Sequence, residues 1–444
     1  VIGVLRLPDL LFVGAEVAGR RCDVHVRGGR VEALGDRLAV PPGAEVVAAG
    51  GGALLPALHD HHIHLLATAA AADSVPCGPP HVTDLAGLRR ALAAAPDRRG
   101  VRGTGYHESV AGPLDRALLD ALVPDRPARV QHRTGALWTL NTPALLALGI
   151  TDGDGRLWRN DPRLRPDGGQ WPDLARLGRE LAELGVLGVS DATPDLDPAV
   201  ADRIAAAGLP QDVLLLGAPT GWGGSPGVRS GPRKVLLGDE VDLDWSALVA
   251  TLQAAHAAGR AAAVHTVTRA SFVAVLAAFE AAGVLPGDRL EHAAVVPAEL
   301  LPRVAELGLT VVTQPALAAA HGDDYLRDVD PEDRGDLWPY ASLLAAGAAV
   351  APSSDAPFGP LDPWVVLRAA RDRLTPAGRV LRAEERVPVA TALAGMLAPL
   401  AAPGGRARRV RPGAPADLVL LHVPLERALA EPDRALVRLT VAAR

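Results

Sequence analysis

Lysine is almost absent from this chain. Lys234 is the only one in 444 residues, and every other basic side chain among the 45 Lys and Arg is an arginine. Methionine occurs once, as Met396, and aromatic residues make up 3% of the chain. Ala, Leu and Val dominate a hydrophobic fraction of 49%. This bias resembles G+C-rich coding, and it raises the information in any residue type that it disfavours. Cysteine occurs twice, as Cys22 and Cys77, which excludes a disulfide framework and points to a reducing, cytoplasmic location. No apolar run reaches the ~18 residues of a membrane helix, and the N-terminus lacks a basic segment followed by an apolar core and cleavage site. Net charge is −6, with no basic stripe. Neither nucleic acid nor an anionic membrane is therefore an expected partner.

What is present is enough apolar sequence for a barrel of about 250 residues and an accessory domain. The first 58 residues read as β-structure, with "CDVHVRGGRVEAL" alternating around the hairpin signal Gly28-Gly29. The segment 402–444 contains "RPGAPADLVLLHV", a turn followed by an apolar strand. Residues 59–401 repeat another unit of apolar strand, helix and glycine. The predicted strands are "GALLPALHD" (52–60), "GVLGVSDA" (185–192), "QDVLLLGA" (211–218), "RKVLLGDE" (233–240), "AAAVHTVT" (261–268), "DRLEHAAV" (288–295), "LTVVTQP" (309–315) and "AAVAPSSD" (348–355). Gly185, Gly208, Gly259, Gly283, Gly308 and Gly347 fall where helices should end. Strands alternating with helices argue for a parallel sheet, and eight of them for an α/β fold of the (β/α)8 TIM-like barrel type. A doubly wound sheet is the competing architecture. The third connection, "PTGWGGSPGVRSGP", carries no helix pattern. The first is over 120 residues long and holds its own strands and helices, so an inserted lid-like subdomain is expected at about 75–165.

In such a barrel the chemistry sits at the C-terminal ends of the strands. Those ends carry His62 and His64 in "HDHHIH", Lys234 in "RKVLL", His265 in "AVHT", His292 in "LEHA" and Asp355 in "PSSDAP". Two histidines one residue apart on a strand point the same way and can grip one metal together. Imidazole and carboxylate suit zinc and similar divalent ions. A lone His or Asp at a strand end is usually just a satisfied polar residue. A set drawn from several strand ends is much harder to obtain by accident.

With these motifs assembled, the sequence resembles the amidohydrolase superfamily, in particular the branch typified by N-substituted formamide deformylases. "DHHIH", "RKVLL", "AVHT", "RLEHA", "TQP", "SSDAPFGPLDP" and "GAPADLVLL" carry the resemblance over nearly the whole chain. It implies a barrel whose N- and C-terminal segments, 1–58 and 402–444, form a small β-sandwich. It also implies a binuclear centre of two divalent metal ions, with Zn2+ the first expectation. By resemblance, His62 and His64 hold one metal with Asp355, His265 and His292 hold the other, and Lys234, carboxylated by carbon dioxide, bridges them as a carbamate. The sequence departs from the branch after the lysine, where it reads "GDEVDLD", and at "TGALWTLN", where a Gly-His pair is usual.

The expected activity is hydrolysis of a C–N bond in a small molecule (an amide, formamide or cyclic amide) by a metal-activated bridging hydroxide. Asp355 is the expected proton acceptor. Hydrolysis of an ester or lactone, or deamination, is the alternative on the same scaffold, and a non-catalytic binding barrel is the remote one. His107, His132, Arg133, Trp138, Trp222, His321 and Tyr325 fall in loops or in the insertion and are candidates to touch substrate. His25, His256 and His422 read as structural, Asp244 as a helix cap within "EVDLDW", and homodimerisation is left open.

Overall fold

The computed structural model describes residues 4–5, 9–95, 100–158, 171–237 and 244–443. The chain divides into two compact units, one of residues 1–65 with 174–444 and one of residues 66–173.

The first unit is TIM-barrel-like. Its principal strands are β1 (Leu58–Ile63), β2 (Val186–Asp191), β3 (Asp212–Leu215), β4 (Arg233–Val235), β5 (Ala262–Thr266), β6 (Arg289–His292), β7 (Thr310–Thr313) and β8 (Ala349–Pro352). All pairings among them are parallel, in the orders β3-β2-β1 and β4-β5-β6-β7-β8. Backbone hydrogen bonds also run between the two sheets. Lys234 N–H donates to Leu216 O at 2.9 Å, and Asp355 N–H donates to His62 O at 2.9 Å. Helices follow most strands, among them Trp245–Ala257 and Arg269–Ala282. The first is capped by Asp244, whose side chain accepts from Ala247 N–H. Gly185, Gly208, Gly259, Gly283, Gly308 and Gly347 all take positive φ at or just past helix ends, conformations that cost glycine least. The β3-to-β4 connection has no helix. It pairs a short strand, Val228–Ser230, with β3. The Arg260 guanidinium holds it, donating to the carbonyls of Leu216, Ala218 and Gly231 at 2.6–2.7 Å.

The predicted first strand, 52–60, is divided between two sheets. Leu54–Pro56 pairs antiparallel with Leu418–Leu421, and the barrel strand starts at Leu58. The change of partner falls within one residue: Ala57 N–H donates to Asp417 O, and Leu58 N–H to Gly185 O. The fourth strand is also shorter than predicted. It ends at Val235, and 238–243 lie outside the described residues.

Two four-stranded sheets are built from the chain ends. Phe12, Val24, Val26 and Val31 from one share a buried cluster with Leu54, Leu418, Leu420 and Leu439 from the other. Burying a side chain of this kind contributes about 1.5–3 kcal/mol. Gly28 and Gly29 form the predicted hairpin, both at positive φ between the paired Arg27 and Arg30.

The second unit is wider than the predicted insertion. It holds a five-stranded sheet ordered Arg156–Trp158, Leu137–Leu140, Ala128–His132, Val101–Tyr106 and Val75–Pro76. Asn141, fully buried, accepts from Ala128 N–H and donates to the carbonyls of Val123 and Arg126, tying sheet to helix.

Candidate metal centre

Side chains alternate along β1. His59 and His61 face the helix layer, where their rings contact Ala398 O at 2.8 Å and Gly395 O at 3.1 Å. Asp60 and His62 take the other face. Asp60 Oδ1 accepts the His62 and Ser354 N–H groups at 3.2 and 3.1 Å, joining β1 to the segment after β8. Burial pushes the Asp60 carboxyl up to about 6 and the His62 imidazole down to about 3, the latter with help from the Lys234 charge. Neutral imidazole is the form that binds a metal.

His62, His292 and Asp355 converge, with one donor atom of each within 4.8 Å of the others. His62 Nε2 and His64 Nε2 each lie 3.4 Å from Asp355 Oδ1, and His292 Nδ1 lies 3.9 Å from Asp355 Oδ2. The His265 ring is 4.6 Å from that of His292, centroid to centroid. Burial raises the Asp355 carboxyl. His62, a hydrogen bond from His64, and His292 outweigh that effect and hold it well below the ordinary carboxylate range.

Simple alternation does not produce this convergence. Glu291 and His292 are consecutive on β6 and should face opposite ways. Both nevertheless reach His62: the Glu291 carboxylate contacts its Nδ1, and the His292 ring lies 4.8 Å from its ring. The backbone makes the turn possible. His292 and Ala293 have φ of 70° and 49°, and Asp355 has φ of 53°. Left-handed conformations at non-glycine residues cost about 1–3 kcal/mol each and gather at functional sites.

Three polar residues at the site were not singled out from the sequence, although Glu291 and Gln314 lie in the motifs "RLEHA" and "TQP". Glu291 is fully buried and pairs with Arg289 Nε at 2.5 Å. Burial raises its carboxyl, but Arg289, His62 and Lys234 reverse this and hold it well below the usual range. Gln314, from "TQP", lies 2.7 Å from His292 Nδ1. Asp191, buried at the end of β2, accepts Leu65 N–H at 2.8 Å, one residue from His64. Burial raises its carboxyl.

Lys234 is buried on β4. It is in register with Ala263, two residues before His265 on the neighbouring strand. Two residues of parallel strand span about 6.6 Å, a distance comparable with the reach of the four-carbon lysine stem. Its charge is among the causes that depress His62, His265 and His292. It also borders a cavity with Asp195, Arg233 and Arg260.

The other predicted residues are dispersed. His321 faces Phe358 O at 3.4 Å, and the Phe358 ring packs on His64. Tyr325 packs against Trp338 in an apolar cluster, and Trp222 donates to Asp202 at 2.8 Å. In the second unit, His107 and His132 both aim Nε2 at Glu108, at 4.0 and 3.0 Å. Arg133 donates its N–H to Tyr106 O, and the guanidinium groups of Arg102 and Arg129 each lie over the Trp138 ring. His25 pairs with Glu32 and His256 with Asp288, both in structural settings.

A divalent metal fits the barrel cluster. His62 Nε2 is buried, lies 3.4 Å from Asp355 Oδ1, and has no hydrogen-bond partner among the described residues. Such uncompensated donor atoms are costly unless a cation satisfies them. A parallel α/β scaffold with imidazoles and a carboxylate at its strand ends defines the class of metal-assisted hydrolases. The amidohydrolase family model matches residues 45–443, and the chain belongs to that family and is a hydrolase. It is 26% identical over 477 residues to an N-substituted formamide deformylase from Arthrobacter pascens, covering 87% of this chain and 88% of that one. Among solved structures it is similar to an uncharacterized metal-dependent hydrolase from Pyrococcus horikoshii OT3. That match has a TM-score of 0.74 and 19% identity, over 96% of this chain and 97% of the other. A counterpart from Pyrococcus furiosus matches with a TM-score of 0.71 and 19% identity, over 96% and 98%.

Proposed function

We propose that this hydrolase cleaves a C–N bond in a small amide, formamide or cyclic amide. The observation that carries the reading is the convergence of His62, His292 and Asp355 at the ends of three barrel strands. The formamide deformylase relative supports the choice of bond. The eight strands close into a barrel, a reading supported by the Lys234–Leu216 and Asp355–His62 backbone bonds. The two sheets from the chain ends form a β-sandwich, supported by their shared core. Residues 66–173 form an inserted subdomain.

His62, His64 and Asp355 would hold one divalent metal, and His265 and His292 would hold a second. Lys234, as a carbamate formed with carbon dioxide, would add an anionic oxygen ligand to the site. Zinc suits this donor set. When bound, the metal pair supplies a Lewis acid and lowers the pKa of water. The protein does the rest. Asp355, whose carboxyl lies below the ordinary carboxylate range, would take a proton from the attacking water and deliver it to the departing nitrogen. His107, His132, Arg133, Trp138, Trp222 and His321 remain candidate substrate contacts. Tyr325 is better read as packing.

The test is a panel of N-formyl amines, N-acyl amines, cyclic imides, esters and lactones assayed on zinc-loaded protein and after chelation. Chelator-sensitive turnover of the amide members is expected. Turnover confined to esters or lactones would replace the C–N assignment, and chelator-insensitive turnover would remove the metal.

A further inference from the structure

His62 and His292 resemble each other in one respect that the metal reading does not require: each has its Nδ1 against a buried oxygen. For His62 the oxygen belongs to Glu291, whose second oxygen pairs with Arg289 Nε at 2.5 Å. Arg289 in turn donates from Nη2 to His61 O at 3.1 Å, so the carboxylate is anchored to β1 itself. Both residues are almost wholly buried, Arg289 at 1% and Glu291 at 0% exposure. A carboxylate paired with a guanidinium only accepts hydrogen bonds, so the His62 proton lies on Nδ1.

For His292 the oxygen is Gln314 Oε1 at 2.7 Å. The orientation of that amide follows from its other end. Its nitrogen donates to Val312 O at 3.2 Å and to Ser353 Oγ at 3.0 Å, which uses both hydrogens. The amide oxygen therefore faces the ring, and His292 also carries its proton on Nδ1.

We propose that Glu291, anchored by Arg289, and Gln314 are positioning residues that fix His62 and His292 as Nδ1–H tautomers, so that each keeps an unprotonated Nε2 as a donor for a divalent metal; for His62 that atom faces Asp355 Oδ1. Partners of this kind orient a ligand and raise its basicity, and their loss typically weakens metal binding 10- to 100-fold. The two devices differ in charge. The Glu291 device brings a full negative charge into the site, and the Gln314 device brings only a dipole, so Glu291 should matter more. The inference rests on the metal reading of the site.

Two measurements test it. In metal-stripped wild-type protein, long-range 15N–1H spectra of labelled histidine report each tautomer directly, with His62→Gln and His292→Gln supplying the assignments. Nδ1–H patterns for both rings are expected, and an Nε2–H pattern for either would overturn its assignment. In parallel, Zn2+ affinity is measured by chelator competition. Glu291→Gln offers one amide oxygen where His62 and Arg289 each require an acceptor, and it should bind Zn2+ 10- to 100-fold more weakly. Gln314→Leu should lose less, about tenfold, and Gln314→Glu, which keeps the acceptor, should stay within about threefold. Zn2+ affinity in Glu291→Gln within twofold of wild type would overturn the proposal. Should that variant fail to fold, the wild-type spectrum and the Gln314 pair still decide. Wild-type protein that takes up no Zn2+ would overturn the metal reading instead, and the tautomer spectrum would judge this inference separately.

Discussion

The molecule contains two groups of histidines at strand ends, and they are built differently. In the second unit, His107 and His132 end neighbouring parallel strands. Each sits in the same local turn, with Nδ1 on the hydroxyl of the residue two further on, Ser109 or Thr134. They share an exposed carboxylate, Glu108. In the barrel, His62, His265 and His292 come from three separate strands; the His292 ring contacts both others, and His62 and His292 are buried while His265 is partly so. Burial holds all three below the ordinary imidazole value. The first arrangement lets solvent or a ligand compete for each ring. The second keeps the rings neutral and leaves a buried donor atom facing Asp355. Burial, more than the number of histidines, marks the barrel group as the candidate metal site.

The largest effect expected from breaking the barrel group is on turnover. Asp355→Asn removes the proton acceptor while keeping the side-chain shape, and should lower kcat about 10²- to 10⁴-fold with the fold intact. A variant within tenfold of wild type would take Asp355 out of that role. Next is Lys234→Ala, which should lose at least one metal and most activity, with partial recovery when acetate or propionate replaces the missing carboxylate. Lys234→Arg should not substitute, because a guanidinium stays protonated and offers no amine to carbon dioxide. Full metal occupancy and undiminished turnover in that variant would end the carbamate reading.

A smaller effect is expected on acid stability. His61, buried against the helix layer, is held neutral down to about 3 against an ordinary value of 6.5. Its folded value is depressed, so the unfolded chain binds the proton first, and stability is lost as pH falls from about 6.5 towards 3. Denaturant melts of wild type and His61→Gln across that window should show a shallower pH slope in the variant. Equal slopes would mean that His61 does not contribute. The smallest effect is expected in the second unit. His107→Ala and His132→Ala should leave metal content unchanged and alter KM by tenfold or less. Loss of metal in either would erase the distinction between the two groups.

Much of the barrel group was legible in the sequence because it follows simple periodicity. His62 and His64 are one residue apart on a strand end, and Lys234 stands out against an arginine-only background. Glu291 was not legible. Next to His292 on a strand it reads as facing the opposite way, and only the positive φ at His292 and Ala293 brings both to His62. No glycine marks that turn. The handover at Ala57 was hidden for another reason: "GALLPALHD" is a continuous apolar run, and both sheets it serves are buried. The limits of the insertion fall in helical or polar sequence without a change of composition; the sequence places it at about 75–165, and the compact unit runs from 66 to 173.

The central claim is that the buried histidines and Asp355 hold divalent metal. Elemental analysis of protein produced with zinc supplied, compared with a His62→Ala, His292→Ala double variant of verified fold, tests it most directly. The account predicts about two metals per chain in the wild type and loss of at least one in the variant. Wild-type protein without transition metal, or a variant that keeps its full complement, would contradict it.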